Sequence, residues 1–135
     1  MSDRNIQIIQ QIYAAFGRGD VPGIMEHIAE DLRRFSVASE LQVAPWHMQI
    51  TKKADVPSFF KALAETCEFT RFEPHDFAAA GDVVYCSVRF DVTLKTTGRK
   101  LQIDDEMHRF TLRNGRVVEW RGAEDTALIA DALLA

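Results

Sequence analysis

Residues 101–110, LQIDDEMHRF, set three acids and a histidine inside a run that otherwise reads as a core-facing strand. Glu106 and His108 stand two apart, so on a β-strand their side chains leave the same face. A carboxylate beside an imidazole is a pair that can hold and move a proton. The carboxylate fixes the tautomer of the ring, and the ring gives or takes a proton near neutral pH. Asp104, Glu106 and His108 also alternate as ligands of some strand metal sites do. Only one histidine is available there and no second ligand run converges in sequence, so a solvated acidic edge is the plainer reading and no metal is expected.

Which chemistry applies depends on which way the strand faces, and its apolar residues give two answers. Leu101 and Ile103 put odd positions inward, whereas Phe110 and Leu112 put even positions inward. One extra residue near Asp104-Asp105, a β-bulge, reconciles them by shifting the facing pattern. Glu106, His108, Phe110 and Leu112 then point into an apolar concavity, with Met107 and Arg109 outside. Without a bulge, Met107 faces in and His108 is solvated. An inward, ionised Glu106 needs a partner or a proton, because a lone buried charge is strongly unfavourable. A pair with His108 meets that need, either as acid/base machinery or as a structural pair that fixes strand register.

The elements that must position this pair follow from periodicity. Residues 3–18 carry Ile9, Ile12, Tyr13 and Phe16 at helical spacing, with Asp3 as N-cap. Gly17, Gly19 and Pro22-Gly23 break that helix, and a short second one follows over 21–29. Residues 31–38 form a short strand, and 39–53, with Pro45 and Trp46, a loop. Asp55 caps a third helix through Cys67, with Pro57 in its first turn. From residue 69 the period falls to two: strands at 69–79, 83–95, 99–113 and 116–124, with turns at Ala80-Gly81-Asp82, Thr97-Gly98 and Asn114-Gly115. The second of these strands divides cleanly, with Val84, Cys86, Val88, Phe90, Val92 and Leu94 on one face. A helix over 125–134 closes the chain. Helices followed by an antiparallel meander make an α+β fold, helices packed on one face of a curved sheet.

A chain of 135 residues is read as one domain, 1–135, long enough to bury a core. A net charge of −4 with scattered basic residues excludes a phosphate-tracking surface, so no nucleic-acid partner is expected. No apolar run is long enough for a bilayer, and MSDRNIQIIQ lacks a secretory pattern, so the expectation is a cytoplasmic protein without a membrane partner. Cys67 and Cys86 lack metal spacing and are read as buried thiols.

In order along the chain, YAAFGRGDVPGIMEHIAED at 13–31, VPSFFKAL at 56–63, GDVVYCSVRF at 81–90 and RNGRVVEW followed by EDT at 113–126 resemble the NTF2-like superfamily. Within it they resemble in particular the SnoaL-like and ketosteroid-isomerase-like members. The resemblance implies a cone, a mostly antiparallel sheet bent around a long helix, with a largely apolar pocket at its open end. It also implies a homodimer through the outer sheet face, which suits Tyr85, Arg89 and Thr93.

That fold hosts isomerases, cyclases, dehydratases, epoxide hydrolases and non-enzymatic modules, so function has to be argued from residues. The three ketosteroid-isomerase positions fall on Ile12, one residue from Tyr13, on Ser36, and on His108 or Met107, and none matches. Arg109-Phe110-Thr111 does not supply the Arg-x-Asp of the epoxide-hydrolase pattern. In SnoaL-like cyclases an acid/base on a pocket strand moves a proton beside a carbonyl, and His108, oriented by Glu106, occupies such a place. In a cone the aromatic core doubles as pocket wall: Phe16, Phe60, Phe90 and Trp120 line it, while Tyr13 and Trp46 offer polar handles. If Trp120 faces the cavity, Gly122 leaves space beside it and Glu124 lies near the rim. His27 and His47 lack partners in sequence, a pocket mouth being the lesser reading for His47, and His75-Asp76 is read as a surface pair. The resulting expectation is a protein that binds a small, apolar, carbonyl-bearing molecule. If an enzyme, it is an isomerase, cyclase or dehydratase working without a cofactor, with His108 as acid/base. The other reading is a non-catalytic ligand-binding or dimerisation module.

Overall fold

The structure, a computed structural model, describes residues 2–36 and 44–134. Helix α1 (Ser2–Gly17) buries Ile8, Ile9, Ile12 and Ala15 along one stripe. Asp3 lies in its first turn rather than at the cap. The helix stops at Gly17, and Gly19 then takes a left-handed φ of 68°. Asp20 caps α2 (Val21–Met25) by accepting from the Gly23 amide at 2.9 Å. A Cβ on Gly23 would lie 2.3 Å from that carboxylate, so the cap requires the glycine.

Helix α2 is shorter than the 21–29 expected because the sheet claims the chain first. The His27 carbonyl already accepts from Val117, and Ile28 pairs with Val117 at the start of β1 (Ile28–Ser36). Residues 37–38 of the expected strand and 39–43 of the expected loop lie outside the described residues. The rest of that loop is tied down: Arg34 and Ile50 exchange backbone hydrogen bonds of 2.8 and 3.3 Å. A 3₁₀ turn at Lys53–Asp55 then leads into α3 (Val56–Thr66), which buries Val56 and Phe59.

Strands β2 (Cys67–Ala80), β3 (Val83–Leu94), β4 (Lys100–Arg113) and β5 (Arg116–Ala123) complete an open sheet ordered β1-β5-β4-β3-β2. The meander is antiparallel, and β1 joins it parallel to β5. The Asn114-Gly115 turn has φ of 52° and 77°, the double positive φ that a two-residue hairpin demands. The six inward residues expected on β3 are all buried. Register shifts in each strand pairing bend the sheet, and α1 packs in its hollow against β2 and β3. Helix α4 (Thr126–Leu134) buries Ile129 and Ala132. This is the α+β, NTF2-like architecture expected. Among the described residues, no helix is long and apolar enough to cross a membrane.

Candidate functional site

The bulge is present where the apolar pattern asked for it. Val88 pairs with Glu106 and Phe90 with Ile103, so Asp104 and Asp105 together oppose the single Arg89. Ile103, Phe110 and Leu112 are therefore all buried, while Met107 is 48% exposed. Glu106 and His108 line a cavity of about 110 Å³ between α1, α3 and the concave sheet face. That space is several times the roughly 10–15 Å³ one water needs. Most of its wall is apolar, and Phe16, Phe60, Phe90, Trp46 and Trp120 all contribute, as does Tyr13.

At one end, Tyr13 of α1, His108 and Glu106 form a hydrogen-bonded chain. The Nε2 of His108 lies 2.6 Å from Glu106 Oε2, and its Nδ1 meets the Tyr13 hydroxyl. A carboxylate can only accept, so Nε2 carries the hydrogen and Nδ1 accepts from the phenol. The tyrosine oxygen also lies 3.3 Å from Cys86 Sγ. Burial, reinforced by Cys86 and Glu106, raises the Tyr13 pKa well above its ordinary value, so the hydroxyl keeps its proton. Burial likewise pushes the Cys86 thiol up to about 11 against a lowering hydrogen bond from Tyr13. Opposite His108 in the β4–β5 ladder is Gly122. A Cβ there would stand 3.7 Å from the imidazole Cδ2, so the glycine keeps the wall beside the ring low.

The other end is built around Arg34, which shares parity with buried Leu32 on β1 and is only 3% exposed. Its Nη1 donates to the carbonyls of Trp46 and Met48, both at 2.7 Å. The guanidinium lies over the Phe59 and Trp120 rings, 4.5 and 5.0 Å from their centroids. Burial lowers its pKa to about 10, offset in part by Glu124 and Glu106, which leaves it charged at neutral pH. Beside it, His47 Nε2 donates to Glu124 Oε2 at 2.6 Å, and Trp46 Nε1 reaches the same oxygen at 3.4 Å. Burial drives the Glu124 carboxyl upward, but the His47 and Trp46 hydrogen bonds and the Arg34 charge outweigh it and hold it below the ordinary value.

Two expectations need correction here. His47 is not at a pocket mouth but 1% exposed: its Nδ1 accepts from the Ala44 amide and its Nε2 donates to Glu124 Oε2. Glu124 is not at an open rim: its side chain is 7% exposed and holds His47 at 2.6 Å. Arg34 was missed, although its two-residue spacing from Leu32 was a legible signal. His75 and Asp76 do form a pair, 3.0 Å apart, with Asp76 at a left-handed φ of 56° in β2. The side chain of Ser36 lies outside the described residues.

The sequence matches the SnoaL-like domain family over residues 9–120. The chain belongs to that family. Solved structures agree on the fold of this SnoaL-like domain. An NTF2-like protein from Burkholderia xenovorans is 27% identical over 98% of both chains, with a TM-score of 0.86. One of unknown function from Burkholderia pseudomallei is 24% identical over 98% of both, also at 0.86. TerC, crystallised with polyporic acid, is 20% identical, with 98% of this chain and 99% of its own covered and a TM-score of 0.84. No curated protein matches the sequence.

Proposed function

We propose that this SnoaL-like domain binds a small, largely apolar carbonyl compound in its cavity and moves a proton beside the carbonyl without a cofactor. The observation that carries this reading is the Tyr13–His108–Glu106 chain bordering an apolar hollow. A substrate carbonyl oxygen takes over the Tyr13 hydroxyl hydrogen bond, which frees the His108 Nδ1 lone pair. That nitrogen removes the proton from the adjacent carbon, and the electron pair passes into the carbonyl as an enolate held by the Tyr13 O–H. Glu106, on Nε2–H, stabilises the imidazolium until the proton returns to carbon (isomerisation) or the enolate attacks an electrophile (cyclisation). Phe16, Phe60, Phe90, Trp46 and Trp120 enclose the apolar body. The same reading takes a cytoplasmic homodimer joined through the outer sheet face, where Tyr85 is 41% exposed.

The test is solvent deuterium exchange into simple aryl ketones. Wild type is expected to speed exchange over buffer, and His108→Ala to lose about 10²–10⁴-fold of that rate while keeping its circular dichroism. No acceleration in the wild type, or an unchanged rate in the variant, overturns the proposal. One observation favours the alternative of a non-catalytic module: both nitrogens of His108 are already satisfied within the protein. In a module, His108→Ala changes only stability or ligand affinity.

A further inference from the structure

We infer that the ligand is an anion: a small aryl or alkyl carbonyl compound that also carries a carboxylate, or an equally acidic oxygen, received by Arg34. This deepens the proposed function, resting on the same cavity and naming the class of molecule it takes.

Arg34 is a buried cation facing the cavity, yet no carboxylate is recorded in ion-pair contact with it among the described residues. Among the described residues its direct contacts are two carbonyls on Nη1 and two aromatic faces, with the Glu124 and Glu106 charges acting from further off. The Nε has no hydrogen-bond partner among the described residues. Burying a guanidinium in this state is unfavourable, and such groups are ordinarily paired with an anion. Glu124, the nearest acid by electrostatic influence, has its Oε2 taken by His47 and Trp46. Glu106 is turned to His108. Arg34 lines an apolar hollow with its Nε unpartnered among the described residues, a state that suits a carboxylate. The Phe59 and Trp120 rings, 4.8 Å apart and nearly perpendicular, hold the guanidinium in place for it.

The sheet ladder fixes the relation between this group and the proton-transfer chain. Arg34 pairs with Trp120, and His108 pairs with Gly122 two residues further along the same strand. With strands about 4.8 Å apart and about 3.3 Å per residue, the two side chains root roughly 12 Å from one another on the concave face. Both side chains reach inward from those roots, so a molecule of a single aromatic ring with a short keto-acid chain spans the gap. The carboxylate then positions the carbonyl against Tyr13, and binding energy remote from the reacting carbon orients it. Arg34 is thus a specificity residue, in addition to tying residues 44–50 to the sheet.

The experiment compares three probes on the wild-type protein by calorimetric titration near neutral pH: phenylpyruvate, its primary amide, and phenylacetone, which replaces the carboxylate with a methyl group. Phenylpyruvate is expected to bind at least about tenfold tighter than either neutral probe, and Arg34→Met to abolish that preference while Arg34→Lys keeps part of it. Equal or weaker binding of the acid, or no binding of any probe, overturns the inference. If Arg34→Met does not fold, the wild-type ratio and the Arg34→Lys ratio still decide. The two readings fail separately. Charge-independent binding with catalysed exchange in phenylacetone removes the anion site and keeps proton transfer. Acid-selective binding without catalysed exchange keeps the anion site and removes proton transfer.

Discussion

His47 and His108 each place Nε2 2.6 Å from a glutamate oxygen, yet their second nitrogens meet different groups. His47 Nδ1 accepts a hydrogen bond from the Ala44 amide, a donor fixed in the backbone. His108 Nδ1 faces a tyrosine hydroxyl, a donor that turns about its C–O bond and has a thiol as second neighbour. The first ring is held in one tautomer by a backbone donor that cannot turn away. The second borders the cavity and can pass its hydrogen bond to an incoming oxygen. The same residue pair is a clamp at one end of the hollow and candidate chemistry at the other. What separates the two is the partner on the far side of the ring.

The widest gap between the two ends should appear in stability. Glu124→Leu leaves His47 buried without its acid, and removing one member of such a pair costs about 3–5 kcal/mol. Glu106→Gln should cost clearly less, because its carboxylate borders a cavity where water can replace the lost interaction. Urea denaturation of both variants measures the difference. Equal losses would make His108–Glu106 a second clamp and remove the contrast.

Sequence alone exposed the His108 end better than the His47 end, for a physical reason. The bulge left a trace in the order of residues: Leu101 and Ile103 against Phe110 and Leu112 is a parity conflict that only an inserted residue resolves. The turns were equally legible, since Asn114-Gly115 and Gly98 supply the positive φ their positions need. The His47–Glu124 contact spans 77 residues and depends on a loop held by the bridge at Ile50 and by the Arg34 side chain, which no local pattern encodes. The junction of α2 and β1 was misjudged for a similar reason, because pairing with Val117 decides where the helix ends. Tyr13 was read as a handle for a ligand. That its hydroxyl meets His108 needs the tilt of α1 across the sheet, which periodicity does not carry.

Tyr13→Phe is the middle-sized test. It keeps the ring, which packs against Phe72, Phe77 and Phe110, and removes only the hydroxyl. His108 Nδ1 then loses its donor, and a lost hydrogen bond of this kind costs about 1 kcal/mol. If the hydroxyl also addresses a substrate oxygen, the variant loses catalysed exchange by far more than this stability change implies. A loss of stability with exchange intact would place Tyr13 among the merely structural groups, alongside the His47 clamp.

The smallest effect lies in acid and reports on the clamp alone. Glu124 titrates below its ordinary value of 4.5 in the folded protein, so it contributes stability that is complete above that value. That contribution disappears as the pH falls through the folded pKa, when the protonated acid no longer favours the native state. Asp31 beside Arg113 and Glu73 beside Arg71 are also held low, but both titrate at the surface whatever residue stands at position 124. A comparison of urea midpoints for wild type and Glu124→Gln therefore isolates the buried acid. The wild-type midpoint should fall more steeply below about pH 4.5 than that of the variant. Parallel curves would mean that the His47 hydrogen bond does not outweigh burial at Glu124, and the two histidine–glutamate pairs would then differ in location but not in strength.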